Sequence, residues 1–201
     1  TDTGSGKTVL TVLLARHLRS QGVNAAALKP ICSGGRGDAR KISAAINGVL
    51  ALDEINPWHF KAAIAPSLAA RREGKKLKLG QVAAHARAMQ KRFEVLLIEG
   101  AGGLLSPLGE HFNSRDLILL LDAVPVIAAP NRLGVVNHVL LTLEALPPAF
   151  RARARVVLLP FGRPDDSAKS NPAFLSEFFD AKKLFIAGAP DFAGKLFEGV
   201  L

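Results

Sequence analysis

A glycine-rich turn that ends in Lys-Thr and runs straight into an amphipathic helix constrains this 201-residue chain more than any other feature. Gly4-Ser5-Gly6-Lys7-Thr8 has the composition of a phosphate loop. Glycines let the backbone curl until its N–H groups converge on phosphate oxygens. The lysine places a charge near the β- and γ-phosphates, and the hydroxyl that follows suits Mg²⁺. Leu10, Leu13, Leu14 and Leu18 then repeat at helical spacing, so a helix is expected to about Ser20, ended by Gln21-Gly22. A loop of this kind follows a buried strand, and the sequence before the loop is only Thr1-Asp2-Thr3. The expectation is a strand upstream of Thr1, within about ten further residues, a buried strand being about five or six long.

The rest of the chain alternates apolar runs with helical periodicity. Strands are expected at Asn24 to Leu28, Glu94 to Ile98, Val124 to Ala129, Val156 to Leu159 and Leu184 to Ala187. The run Glu94-Val95-Leu96-Leu97-Ile98 reads as a strand buried on both faces. Helices are expected from Asp38 to about Val49, along the face Val82, Ala86, Met89 and Phe93, near 114–121, from Gly134 to Leu146, and from Ala173 to Phe179. Residues 51–78 show no regular pattern. Alternation of this kind predicts a single α/β domain over residues 1–201: a mostly parallel sheet with helices on both faces, of the phosphate-loop NTPase type.

Two charged residues stand where such a sheet binds ligands, at the C-terminal ends of strands, and a third follows a loop of small residues. Glu99 follows the second expected strand, Glu94 to Ile98, and precedes Gly100-Ala101-Gly102-Gly103. It is placed to hold Mg²⁺, or else to cap its own turn. Lys29, fixed by Pro30, follows another strand and suits a phosphate or a charged transition state, or else is solvated. Two readings fit Asp38 equally: a second metal carboxylate, or the N-cap of its helix.

Composition narrows the alternatives. Lys plus Arg total 26 against 17 Asp plus Glu, a net charge of +9 that invites an anionic partner. Only 6% of residues are aromatic and there is no Tyr, so base stacking has few candidates and nucleic acid is not expected. The basic runs Arg71 to Lys78 and Arg151 to Arg155 read as solvated faces. The longest apolar stretch, Leu117 to Ala129, is broken by Asp122 and Pro125, so no membrane span is expected. A lone cysteine, Cys32, fits a reducing compartment, and the expectation is a cytoplasmic protein. No base stands at nucleophile spacing from Cys32, and His17, His59, His85, His111 and His138 form no metal-ligand pattern.

Four segments, in order, make the chain resemble the dethiobiotin synthetases. They are Thr1-Asp2-Thr3-Gly4-Ser5-Gly6-Lys7-Thr8; Lys29-Pro30-Ile31-Cys32-Ser33-Gly34; Glu99-Gly100-Ala101-Gly102-Gly103-Leu104 with Pro107-Leu108; and Leu133-Gly134-Val135-Val136-Asn137-His138 with Leu141-Thr142. The resemblance implies an ATP- and Mg²⁺-dependent cyclo-ligase. It carboxylates 7,8-diaminononanoate with CO₂ or bicarbonate, phosphorylates the carbamate and closes a cyclic urea, giving dethiobiotin, ADP and phosphate. By position it implies nucleotide binding by Asp2, Thr3, Gly4, Ser5, Gly6, Lys7, Thr8, Glu99 and Gly102. Lys7 and Lys29 would hold the transferring phosphate, Thr8, Asp38 and Glu99 the metal, and Thr3 and Ser33 the carbamate. Gly134, Val135, Val136 and Asn137 would receive the substrate carboxylate across a homodimer interface.

The sequence also departs from that pattern. The family's base-contacting Asn should follow Val156-Val157-Leu158-Leu159, and Pro160-Phe161-Gly162 stands there instead. Two other enzyme classes of related fold fit less well. A partitioning or septum-site switch ATPase would carry a second lysine near the start of the loop, where Asp2 stands, and its amphipathic tail has no strong counterpart in Asp191 to Leu201. A cobyrinate amidase-like ligase would need a glutaminase domain that 201 residues do not accommodate.

Overall fold

The computed structural model describes residues 1–163 and 165–199; Pro164, Val200 and Leu201, the last two ending the weakly basic tail, lie outside the described residues. The chain forms two compact units: Lys7–Ala123, and Thr1–Gly6 together with Val124–Leu201.

The Lys7–Ala123 unit begins with α1 (Lys7–Ser20), which buries Leu10, Leu14, Ala15 and Leu18. Leu13 lies off that face and stays 39% exposed, because one step back from Leu14 turns it some 100° around the helix. Next come β1 (Ala25–Leu28), β2 (Ile31–Ser33), α2 (Gly37–Ala45), α3 (Leu52–Ile55) and β3 (Trp58–Phe60). They are followed by α4 (Pro66–Arg72), α5 (Leu79–Gln90), β4 (Val95–Ile98) and α6 (Ser114–Leu121). β1 pairs in parallel with β4, from Ala25 opposite Val95 to Leu28 opposite Ile98, and β2 pairs in parallel with β3. Ala25, Ala26 and Ala27 are wholly buried, and their small size lets α1 and α2 pack closely on β1. Leu28, Ile42, Ile46, Leu50 and Ile55 fill the core around them. Each contributes about 1.5–3 kcal/mol on burial. A second core joins Ile31, Phe60, Leu77, Val82, Leu108 and Phe112.

Three expectations are corrected here. Residues 51–78 hold α3, β3 and α4, elements of three to seven residues that are too short to carry a periodicity. β4 is half-buried along its length rather than buried on both faces, since its ladder among the described residues is with β1 alone. Asp38 is not the cap of α2: that position is Arg36, and the helix ends at Ala45.

The second unit carries β5 (Val126–Pro130), α7 (Val135–Glu144), α8 (Pro148–Arg153), β6 (Arg155–Leu159) and α9 (Asp166–Ser176). A 3₁₀ turn (Ala181–Lys183), β7 (Leu184–Ile186) and α10 (Phe192–Phe197) complete it. The three strands form one parallel sheet in the order β5-β6-β7. Val156, Val157 and Leu158 are fully buried, as the central strand requires. α9 starts earlier than its periodicity predicts, with Pro172 inside it, because the Asp165 carboxylate caps it by accepting the Ala168 N–H at 2.9 Å. Gly6 belongs to this unit and has φ +88°. A Cβ there would meet a Leu159 methyl at 3.2 Å, so both conformation and space call for glycine. Strands are parallel and flanked by helices throughout, as expected of an α/β protein. No helix among the described residues is long and apolar enough to cross a membrane.

Candidate active site

Register builds the centre of the Lys7–Ala123 unit. Leu28 and Ile98 are partners in the β1–β4 ladder, so the residues that follow them, Lys29 and Glu99, emerge side by side at the C-terminal end of the pair. The Glu99 N–H donates to the Leu28 carbonyl at 2.8 Å, and the Lys29 N–H to the Ile55 carbonyl at 3.0 Å. The Lys29 ammonium then donates to Glu99 Oε1 at 2.7 Å and to Asp38 Oδ2 at 2.5 Å. Thr8, in the first turn of α1, donates its hydroxyl to Glu99 Oε1 at 2.7 Å. Thr8, Lys29, Asp38 and Glu99, drawn from three distant stretches of sequence, thus converge on one point.

Burial makes this knot electrostatically strong. The side chains of Glu99 and Lys29 are 1% and 9% exposed, while that of Asp38 is 44% exposed. Burial alone would push the Lys29 pKa down. The charges and hydrogen bonds of Glu99 and Asp38 outweigh it and hold the ammonium above its usual value. Burial likewise opposes ionisation of Asp38, yet Lys29, aided by the Thr8 hydroxyl, keeps its carboxyl below the ordinary range. Glu99 Oε2 is buried with no hydrogen-bond partner among the described residues. It is an unused acceptor of the kind a cation takes up. Two carboxylates and a hydroxyl form a hard oxygen set, which suits Mg²⁺ shared with phosphate oxygens. No cluster of three or more His, Cys, Asp or Glu side chains fit to cage a metal by themselves occurs among the described residues.

The other expected residues lie in plainer surroundings. Asp2 turns its loop, its carbonyl accepting from the Ser5 N–H at 3.3 Å and its Oδ1 from the Thr3 N–H at 2.7 Å. Ser33 gives its hydroxyl proton to the Ile64 carbonyl at 2.6 Å, which leaves the oxygen lone pairs for a donor on a ligand. Gly102 has φ +69° in the turn after Glu99, where the neighbouring Gly103 N–H donates to Ser106 Oγ at 2.8 Å. In the other unit, Gly134 is the N-cap of α7 at φ +88°, with no side chain capping the helix. Val135 is buried, Val136 half-buried and Asn137 exposed. Leu133 and Leu141, on the exposed side, are 79% and 61% accessible. After β6, Phe161 is 47% exposed and carries the Arg132 guanidinium over its ring at 5.0 Å.

One residue that supports the knot escaped the sequence reading. Asn56, wholly buried, donates to the carbonyls of Lys29 and Pro30 at 2.7 and 3.3 Å. Its Oδ1 accepts from Cys32 Sγ at 3.1 Å and from Arg36 Nε at 3.2 Å. Arg36 in turn binds the Leu52 carbonyl and Asp53. The only signal was an Asn-Pro pair within a stretch without periodicity. Cys32 itself is buried, which raises its thiol pKa against the smaller lowering effect of Asn56, so it is a packing residue and not a nucleophile.

Residues 1–184 match the family described as AAA domain. Proteins called ATP-dependent dethiobiotin synthetase are similar over most of their length. One from Anaeromyxobacter sp. (strain Fw109-5) is 39% identical over 178 residues, 86% of this chain and 80% of the relative. One from Methanocaldococcus jannaschii is 39% identical over 152 residues, 73% and 70% respectively. A third, from Bacillus licheniformis, is 35% identical over 184 residues, 89% and 78%.

Proposed function

The chain belongs to the AAA-domain family and, within it, to the ATP-dependent dethiobiotin synthetases, and on that premise we propose that it carboxylates 7,8-diaminononanoate and closes the cyclic urea of dethiobiotin at the expense of ATP. The observation that carries the reading to this chain's own residues is the convergence of Thr8, Lys29, Asp38 and Glu99 on one buried point. A switch ATPase of the same fold is not favoured by these relatives.

Transfer of a phosphoryl group to a carbamate oxygen asks little covalent help of the protein. It asks for positive charge where negative charge spreads over the equatorial oxygens. Lys7 and Lys29 supply that charge. The loop residues Asp2 to Thr8, with Glu99 and Gly102, hold the nucleotide. Thr8, Asp38 and Glu99 would hold Mg²⁺, which would supply neutralisation of phosphate charge. Thr3 and Ser33 are assigned to the amine and carbamate, Ser33 as an acceptor for an N–H because its own proton is given to the Ile64 carbonyl. The start of α7, Gly134, Val135, Val136 and Asn137, binds the substrate carboxylate through backbone N–H groups and the positive end of the helix. We assign the working form as a homodimer that shares this carboxylate site, one functional domain per chain, acting in the cytoplasm. Pro160-Phe161-Gly162 stand in place of the family's base-contacting Asn, so ATP is the expected nucleotide and other triphosphates are to be compared against it.

The experiment is fixation of labelled bicarbonate into an acid-stable product with ATP and Mg²⁺, with and without 7,8-diaminononanoate. Label fixed only when the diamine is present supports the synthetase. ATP hydrolysis without fixation, whatever the diamine, overturns it.

A further inference from the structure

The Lys29 ammonium stands 2.7 Å from Glu99 Oε1 and 2.5 Å from Asp38 Oδ2. We propose that Lys29 is a tethered cation seated on the very oxygens that take the divalent ion, so that metal and phosphate load together by exchange: the ion takes the carboxylates as Lys29 moves to the phosphate. The inference rests on the metal assignment made above for Thr8, Asp38 and Glu99, and adds to it a competitor and an order of events.

Three observations carry it. Glu99 is almost fully buried, and a buried carboxylate without a counter-charge is strongly unfavourable, so its charged form needs a cation beside it. At present that cation is Lys29, with Thr8 donating to the same Oε1. An ion bound to Oε1 and Oδ2 would sit within contact range of the ammonium, where like charges repel strongly in a buried setting. The two cannot share the seat. Lys29 has a long flexible stem, and Asp38 is 44% exposed, so the knot is open to solvent on the Asp38 side. Glu99 Oε2, buried without a hydrogen-bond partner, offers the ion an acceptor that Lys29 does not use.

Expelling Lys29 without a new partner would strand its charge. An anion that receives the ammonium removes that cost. Metal and phosphate should therefore bind with positive coupling, and the coupling must be reciprocal.

The test compares wild type with Lys29→Met, which keeps the length and removes the charge, and with Lys29→Arg, which keeps the charge. Mn²⁺ binding to nucleotide-free protein is followed by the electron paramagnetic resonance of free Mn²⁺. Binding of a non-hydrolysable ATP analogue is followed by calorimetry. Lys29→Met should bind Mn²⁺ alone about tenfold more tightly, the effect of removing a unit charge from contact with the seat, and bind the analogue more weakly. A general loss of structure would weaken both, so the opposite signs identify exchange. Lys29→Arg should bind Mn²⁺ as weakly as wild type. Mn²⁺ affinity unchanged or lower in a folded Lys29→Met protein overturns the proposal. Wild type supplies a second measurement that needs no variant to fold: saturating inorganic phosphate should raise its Mn²⁺ affinity, corrected for Mn²⁺–phosphate binding in buffer, and Mn²⁺ should raise phosphate affinity by the same factor. Absence of that coupling in a protein that does bind Mn²⁺ with the analogue overturns the exchange while leaving the metal site intact. Failure of wild type to bind Mn²⁺ even with the analogue overturns both.

Discussion

Two regions flagged by the sequence as ligand sites are built from opposite materials. Around Glu99, side chains do the work: Thr8, Lys29, Asp38 and Glu99 bond to one another, mostly out of water. At the start of α7, between Gly134 and Asn137, it falls to the backbone: no side chain caps the helix, and the residues there range from buried Val135 to exposed Asn137. A site made of interlocked charges depends on each partner, and loss of one leaves another unsatisfied. A helix start depends on the path of the chain, so the exposed Asn137 side chain can change with little effect on it, whereas Gly134 and the buried Val135 cannot.

That contrast can be broken by substitution. The largest effect should come from Lys7→Ala, which removes the charge proposed to meet the phosphate: dethiobiotin formation should fall by about 10³-fold or more, with an unchanged circular dichroism spectrum. Retained activity would remove the loop from the site. Glu99→Gln should come next. It leaves Lys29 with the half-exposed Asp38 as its remaining anion among the described residues, costing about 3–5 kcal/mol in denaturant unfolding as for a broken buried pair, and it should shift the Mg²⁺ needed for half-maximal rate upward. A mutant with wild-type stability and Mg²⁺ dependence would show that the knot is not electrostatic. Asn56→Ala should cost about 1–3 kcal/mol for each buried group left unpaired. It should lower kcat through Lys29 while leaving the pattern of Mg²⁺ dependence intact.

On the backbone side, Gly134→Ala imposes a side chain at φ +88°, although nothing lies within 4 Å of the added Cβ. The expected cost is about 1–2 kcal/mol, with the KM for the diamine raised and that for ATP unchanged. Asn137→Ala, by contrast, should alter neither KM appreciably; a large loss would mean that a side chain and not the helix start reads the carboxylate. The smallest effect concerns Cys32. Its thiol pKa is raised by burial, so the folded state holds the proton more tightly than the unfolded chain does. Any stability it contributes is full below the ordinary thiol pKa of the unfolded chain and is lost as pH rises through the higher folded value. Native protein at pH 8 should resist iodoacetamide, and labelling should appear only with unfolding.

The sequence by itself determined the alternation of strands and helices, because buried strands need apolar runs and packed helices need a 3.6-residue repeat. Leu10, Leu14 and Leu18 on α1 and Val156 to Leu159 in β6 were legible on that ground. So were Lys7, Thr8, Lys29 and Glu99 as residues of interest, since glycine turns and strand ends carry local signals. Elements without a local signal escaped. β2 and β3 exist because they pair with each other, and α3 and α4 are too short for a period. The role of Asp38 was open between cap and ligand until its side chain was seen on Lys29, with Arg36 at the cap position. Beyond its Asn-Pro pair Asn56 carried no signal, because its importance lies in four neighbours, two carbonyls, a thiol and a guanidinium, that only the tertiary fold brings to it. Which charges neutralise one another is decided by the β1–β4 register, a through-space relation between residues 70 apart in sequence.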